Sequence, residues 1–338
     1  MDTFLFALNA VLPIILLILL GYILRQKNLY DDSFLQYGNT FVFRAALPAL
    51  LFYNVYSVES LRAINWSVVL FACVMTFFLF CCGLITVHFC TKDPKKKGVI
   101  LQCVFRSNFA IIGIPLAKSL GGESAVAIAS ILSAFTIPIF NVLAVISLTI
   151  FEIDSNGNKI SVSEVFRKIR TNPLILGVLL GFCCLVIRSF VPFDADTNTY
   201  IFTLKDNLPF LYSAIKDVGT IASPLALIVL GGKFHVSVVK PLAKYIAVGT
   251  VWRVILAPVL ALSAAVFLSY AEIFNFTSTE YPAFVALFGT PVAVSSAIMA
   301  GEMGADEELA GQLVVWTSIC SVFTIFLCVV VLRSIGML

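Results

Sequence analysis

The chain has 338 residues, of which 60% are hydrophobic and only 12% charged, whereas soluble domains run at roughly 45–50% apolar and 25% charged. Its mean hydropathy is +1.02. A soluble globule of this size cannot hide so much apolar surface. That excludes a soluble enzyme, a disordered regulator and a disulfide-stapled secreted domain, and leaves an all-α polytopic membrane protein. The formal net charge of +3 is too small to argue for a nucleic-acid partner.

Ten apolar segments are bounded by polar or Pro/Gly punctuation. The first, 4–24, lacks a basic n-region and has no A-x-A cleavage site before Arg25, so it reads as a span rather than a signal peptide. The second, 35–57, holds FVFRAALPALLFYNVY, and the third, 64–90, ends at TKDPKKKG. The fourth, 98–119, holds FRSNFAIIGIPLA, and the fifth is 124–151. A polar, helix-compatible stretch over 154–172 follows. The sixth to tenth segments are 173–191, 208–231, 240–268, 281–302 and 308–333. The seventh carries IASPLALIVLGG and the ninth FGTPVAVSSAIMAG. Nine cysteines without a CxxC pair, and two isolated histidines, His88 and His235, offer no metal site and no disulfide framework.

The two halves read alike. LPALLFYN around Pro48 in segment two is answered by SPLALIVL around Pro224 in segment seven. GGESAVAIASILSAF, between segments four and five, is answered by GADEELAGQLVVWTSI between nine and ten. Two repeats of five spans are expected: 1–151 and 173–338, joined by a linker over 152–172. Five is odd, so the second copy enters the membrane inverted, as in secondary transporters. Loops after the odd-numbered segments carry twelve Lys/Arg, and the opposite side carries five, including Arg62, Lys118 and Arg188. The positive-inside rule then puts the odd loops and the linker in the cytoplasm and both termini outside.

Segments four and nine carry the chemistry. Each has helix-breaking residues at mid-span: Asn108, Gly113 and Pro115 in one, Gly289, Thr290, Pro291, Ser295 and Ser296 in the other. Proline removes a backbone donor and clashes with the carbonyl four residues back. In lipid such breaks survive only inside protein or beside a water-filled cavity, and paired interrupted segments are the best sequence pointer to a transporter site. The alternative is that Pro115 and Pro291 are simple kinks. Arg44, Arg106, Lys216 and Arg253 fall inside apolar segments, with Asp217 the one comparably deep acid. Each such charge costs about 2.5–3.5 kcal/mol even on the lenient insertion scale, and the positive excess suits an anion, most simply a carboxylate. The competing roles are snorkelling for Arg44 and Arg106, carbonyl pairing for Arg253, and a span-entry ion pair for Lys216 with Asp217 instead of a coupling site. Asn54, Gln102, Thr136, Asn141, Thr317 and Ser318 are explained by interhelical hydrogen bonds. Glu302 reads as a solvated or capping residue. No Walker, GxSxG or HExxH motif is present, so the chain is expected not to be an enzyme.

LPALLF, RSNFAIIGIPLAKSLGG, TNPLILGVLLG, SPLALIVLGG and TPVAVSSAIMAGEMGADEE together resemble the auxin efflux carrier family of membrane permeases, in its short prokaryotic form. The segment-four stretch matches the family's Asn–small–Gly–x–Pro pattern, with Phe109 and Ala110 in place of the commoner Thr–Gly pair. The resemblance implies ten helices in a five-plus-five inverted repeat, with helices 4 and 9 broken and crossing at the substrate site. It places Asn108 and Pro115 at the helix-4 break and Pro291 at the helix-9 break. Helices 1, 2, 6 and 7 would form a scaffold, often dimeric, and helices 3–5 and 8–10 a moving transport domain. Plant members export auxin, an indole carboxylate; bacterial members include permeases assigned to malate or malonate.

The expected function is therefore secondary transport of a small organic anion across the cell membrane by elevator-type alternating access. The candidate site comprises Asn108, Pro115, Thr290, Pro291, Ser295 and Ser296, with Arg106, Arg253 and Arg44 as charge partners and Lys216 and Asp217 as coupling candidates. No cofactor is expected beyond proton or sodium coupling, and the partners are the anion, the bilayer and a second copy bound through the scaffold helices. The alternatives are a cation-coupled symporter of an amphipathic or zwitterionic solute, a non-transporting membrane receptor, and a channel.

Overall fold

The computed structural model describes residues 2–58, 65–152, 160–194 and 199–338. Arg62 and Lys159, counted in the orientation argument, lie outside these residues, as does the start of the polar linker. Helix dominates: beyond it, the described residues hold a two-residue antiparallel pair, Phe193–Asp194 with Thr199–Tyr200, and one isolated bridge between Ser107 and Val292. Among the described residues, six helical stretches are long and apolar enough to cross a membrane: Trp66–Cys90, Phe109–Thr149, Pro173–Phe190, Pro209–Gly232, Val236–Tyr270 and Glu307–Ser334.

The helices are α1 (Asp2–Gln26), α2 (Asp32–Phe41), α3 (Leu47–Tyr56), α4 (Trp66–Cys90), α5 (Pro94–Phe105), α6 (Ile114–Thr149), α7 (Val162–Thr171), α8 (Pro173–Phe190), α9 (Leu204–Asn207), α10 (Pro209–Gly232), α11 (Val239–Val251), α12 (Ala257–Tyr270), α13 (Tyr281–Gly289), α14 (Ser295–Glu302) and α15 (Glu307–Ser334). Their starts follow ordinary capping rules. Asp31, Asn65, Asp93, Ser161, Asn172 and Asp306 each accept a backbone N–H from the first turn, which satisfies donors that the helix leaves free.

Three wide π-turns, Val42–Ala46, Phe109–Gly113 and Trp252–Leu256, interrupt or open helices. Each is followed two residues later by a proline: Pro48, Pro115 and Pro258. The proline ring clashes with the carbonyl four residues back and offers no N–H, so the preceding turn widens to keep its carbonyls bonded. Segments two and eight therefore each comprise two helical pieces, α2–α3 and α11–α12. Segments four and five are separated by a kink within α6, where two helices join at Gly122, whose φ of 66° and ψ of −154° lie where only glycine sits comfortably.

The helices gather into two groups that also pack on each other, chiefly through α1 against α15. In the first group α1 packs on α10, and α3 packs on both α8 and α10. The other group joins α4, α5, α6 and α11 through α15, with α5 against α4 and α6, and α13 against α6, α12 and α15. Glu302, expected as a solvated or capping residue, instead ties the groups together: its Oε1 accepts from Asn39 Nδ2 at 2.8 Å and from Thr40 Oγ1 at 3.0 Å. Lys233 and Glu307 form a second tie at 2.7 Å.

The α1–α10 crossing is a backbone contact. A Cβ on Gly231 would stand 2.0 Å from the Ile18 carbonyl oxygen, and one on Gly21 would stand 2.1 Å from that of Ile228. Neither carbonyl can swing away without disturbing its helix. Gly231→Val is expected to push the helices apart at a cost of about 1–3 kcal/mol, read as a lowered unfolding midpoint of the detergent-solubilised protein.

Candidate functional site

Segments four and nine break where their chains cross. α5 ends at Phe105 and α13 at Gly289. The residues that follow are unwound and pair with one another: Asn108 N–H donates to the Pro291 carbonyl at 2.8 Å, and Ala293 N–H donates to the Arg106 carbonyl at 3.3 Å. These bonds flank the Ser107–Val292 bridge, which is antiparallel, so the chain directions oppose at the crossing. Val292 N–H finds Thr317 Oγ1 on α15 at 3.2 Å. Thr290 Oγ1 turns back to the Ala286 carbonyl and closes the end of α13. Asn108 then opens the next helix, its carbonyl accepting from both Ile112 and Gly113.

The break in segment four thus falls at Arg106–Asn108, earlier than Pro115. Pro115 lies inside the resumed helix and is exposed; it is two residues past the wide turn that it causes, not at the crossing. Pro291 does sit at the crossing, where it contributes its carbonyl.

Beside the crossing lies a small cavity of about 50 Å³. Of the residues anticipated from sequence, Arg106, Asn108 and Ser295 line it, together with Ser107, Asn54, Asn141 and Ser223. Leu47, Leu50, Leu51, Ala222 and Ala226, from α3 and α10, supply an apolar wall. Phe109, Ile137 and Phe140 add further apolar surface.

Arg106 is only 3% exposed and does not snorkel. Its Nη1 donates to Gln102 Oε1 at 3.3 Å and to Met299 Sδ at 3.2 Å. Its Nη2 donates to Asn141 Oδ1 at 2.9 Å and to Ser295 Oγ at 3.1 Å. None of these acceptors is an acid. Asn141 is itself fixed by donating to the Ile137 carbonyl, and Gln102 by donating to the Ser296 carbonyl at 3.1 Å. The guanidinium is therefore held by neutral groups that orient it without cancelling its charge. Next to it, Asn108 Nδ2 is buried and has no hydrogen-bond partner. Arg106 thus leaves a cation, and Asn108 a free donor, among the residues that line the cavity.

Arg253 is fully buried but does not line the cavity. It donates to the backbone carbonyls of Val104, at 3.2 Å, and Phe288. Ser296 is buried with its hydroxyl unpartnered. Arg44 is exposed and faces a different cleft, of about 570 Å³, shared with Asn39, Glu302 and Lys233. Lys216 and Asp217 are exposed on α10, away from the cavity lining. Among the described residues no ion pair joins them. Neighbours in a helix point about 100° apart, which explains why they stay separate.

Residues 6–329 match the model of the membrane transport protein family, the family of the auxin efflux carriers. The match spans nearly the whole chain, and the protein belongs to that family: it is a multi-pass membrane transport protein. A search of curated proteins found no match.

Thr317 was expected to serve interhelical bonding alone. Its hydroxyl is the acceptor for an unwound residue of the crossing, and it donates in turn to Leu313. Thr317→Val should leave Val292 N–H unpaired in a dry site, costing about 1–3 kcal/mol. The expected result is a lowered unfolding midpoint together with reduced transport, whereas Thr324→Val, one to two turns further along α15, should change neither.

Proposed function

We propose that the protein is a secondary transporter of small organic anions and that the cavity at the crossing is its binding site. The observation that carries this reading is Arg106: a buried guanidinium on the cavity wall whose four acceptors are all neutral. A charge so placed is stabilised most simply by the ligand's own carboxylate, whose geometry matches the guanidinium fork. Asn108 Nδ2 supplies the next donor, and the start of α14 at Ser295 turns a positive dipole end towards the same place.

The cavity walls narrow the class. One uncancelled cation balances one negative charge, and the leucines and alanines of α3 and α10 suit an apolar body. A monocarboxylate with an apolar or aromatic body fits this arrangement better than a dicarboxylate.

The same reading takes the chain as ten spans in a five-plus-five inverted repeat. The support is that the two breaks fall in corresponding segments and pair with each other. The group built on α1, α3, α8 and α10 would act as scaffold, and the group holding the crossing as an elevator-like transport domain. A homodimer through the scaffold, a place in the cell membrane with both termini outside, and coupling to a proton gradient complete the proposal. The exposed positions of Lys216 and Asp217, away from the cavity, give them no part in ligand binding.

Ligand-induced thermal stabilisation tests this directly, because a ligand that binds the folded state raises its apparent stability by mass action. Across mono- and dicarboxylates, indole acids, amino acids and cations, a dose-dependent shift with monocarboxylates is expected, and it should vanish in Arg106→Ala. Asn108→Ala and Pro291→Ala should abolish flux while leaving membrane insertion intact. A response confined to cations or neutral amines would overturn the anion reading.

A further inference from the structure

We infer that Arg253 is a positioning residue that occupies, with its own charge, the place where a broken-helix carrier would otherwise bind a metal cation. The crossing would then keep its shape without sodium. The inference rests on the reading of the crossing as the transport site.

α5 and α13 both end at the crossing, and the last carbonyls of a helix have no partner within it. Those carbonyls also form the negative end of the helix dipole. Two such ends brought together repel each other, and lipid offers no water to screen or bond them. In transporters built from interrupted helices, half-helix C-terminal carbonyls commonly coordinate a sodium ion or a proton donor. In this protein one guanidinium reaches both ends: Arg253 Nη1 donates to Val104, the penultimate residue of α5, and Nη2 to Phe288, the penultimate residue of α13.

Arg253 comes from a third element, the wide turn Trp252–Leu256 between α11 and α12. It is fully buried, forms no ion pair among the described residues, and does not line the cavity. Its charge is therefore directed to the two carbonyl ends and not to a ligand. A fixed cation there would also repel a metal ion approaching the same carbonyls.

The test uses the full-length protein in detergent, with sodium chloride compared against choline chloride at equal ionic strength. Hydrogen–deuterium exchange is followed over 105–109 and 290–294, the unwound segments. Wild-type exchange and unfolding midpoint should be the same in both salts. Arg253→Met keeps the side-chain length and removes the charge, and should speed exchange in both segments at least about tenfold, since two bonds to a charged donor are lost. Arg253→Lys should restore most of the protection, which a merely space-filling role would not require. Where the Met variant fails to fold, near-wild-type exchange in the Lys variant supports the inference. Saturable, sodium-specific protection in the wild type would overturn it, as would wild-type exchange in Arg253→Met or a Lys variant no better than Met. Failure of the anion reading would appear elsewhere, as the absence of any carboxylate-induced shift in the wild type.

Discussion

Everything at the centre of this protein follows from one constraint: backbone that leaves a helix in the middle of a membrane must find partners inside the protein. The solution is reciprocal. The unwound residues after α5 and those after α13 bond to each other, through Asn108 N–H to Pro291 and Ala293 N–H to Arg106. Thr317 takes the N–H between them, and Thr290 closes a carbonyl of its own helix. Neither break would be tolerable alone, because each supplies the acceptor that the other's donor needs. The two interruptions are thus one structural unit contributed by distant parts of the chain.

That unit has an electrical polarity, and the two buried arginines divide it. The C-terminal ends of α5 and α13 are negative, and Arg253 bonds a carbonyl from each. The helices that resume beyond the breaks start beside the cavity, where their positive ends add to Arg106 instead of opposing it. Burying two unpaired cations would be prohibitive if both were idle. One is matched by backbone dipoles; the other is oriented by Gln102, Asn141, Ser295 and Met299 and keeps its charge for the cavity. Sequence position alone treats the two as equals, since each lies near the middle of an apolar segment.

The membrane class, the positions of most helices and the paired breaks were legible in the sequence because apolar runs and proline act locally. The lining of the cavity at the crossing was legible in part. Arg106, Asn108 and Ser295 sit in the broken segments, and all three line the cavity. Pro115 was misleading, since a proline widens the turn before it without being where the chain unwinds. Arg44 and the Lys216–Asp217 pair were chosen for depth, but depth does not say which way a side chain faces. Gln102, Asn141 and Thr317 looked like ordinary interhelical glue. Their partners lie on helices far along the chain, so nothing near them in sequence marks them as supports of the crossing. Glu302 likewise meets Asn39 and Thr40, which lie 263 and 262 residues away along the chain.

The distribution of polarity around the cavity bears on how a ligand could move. Arg106, Asn108 and Ser295 all belong to the group that holds the crossing, whereas α3 and α10 face the cavity mainly with leucine and alanine. Under the proposed elevator motion, the polar contacts to a carboxylate would travel with the ligand. That wall would present no fixed charge, and its hydrogen-bonding side chains at the cavity are Asn54 and Ser223. A channel would need the reverse, polar groups distributed along a stationary path. The polar ties between the two groups are concentrated at Glu302 and at Lys233–Glu307, away from the cavity lining. Few directional bonds then hold the groups in register. The cavity residues take no part in those bonds, which is the separation of roles that the proposed alternation between two positions requires.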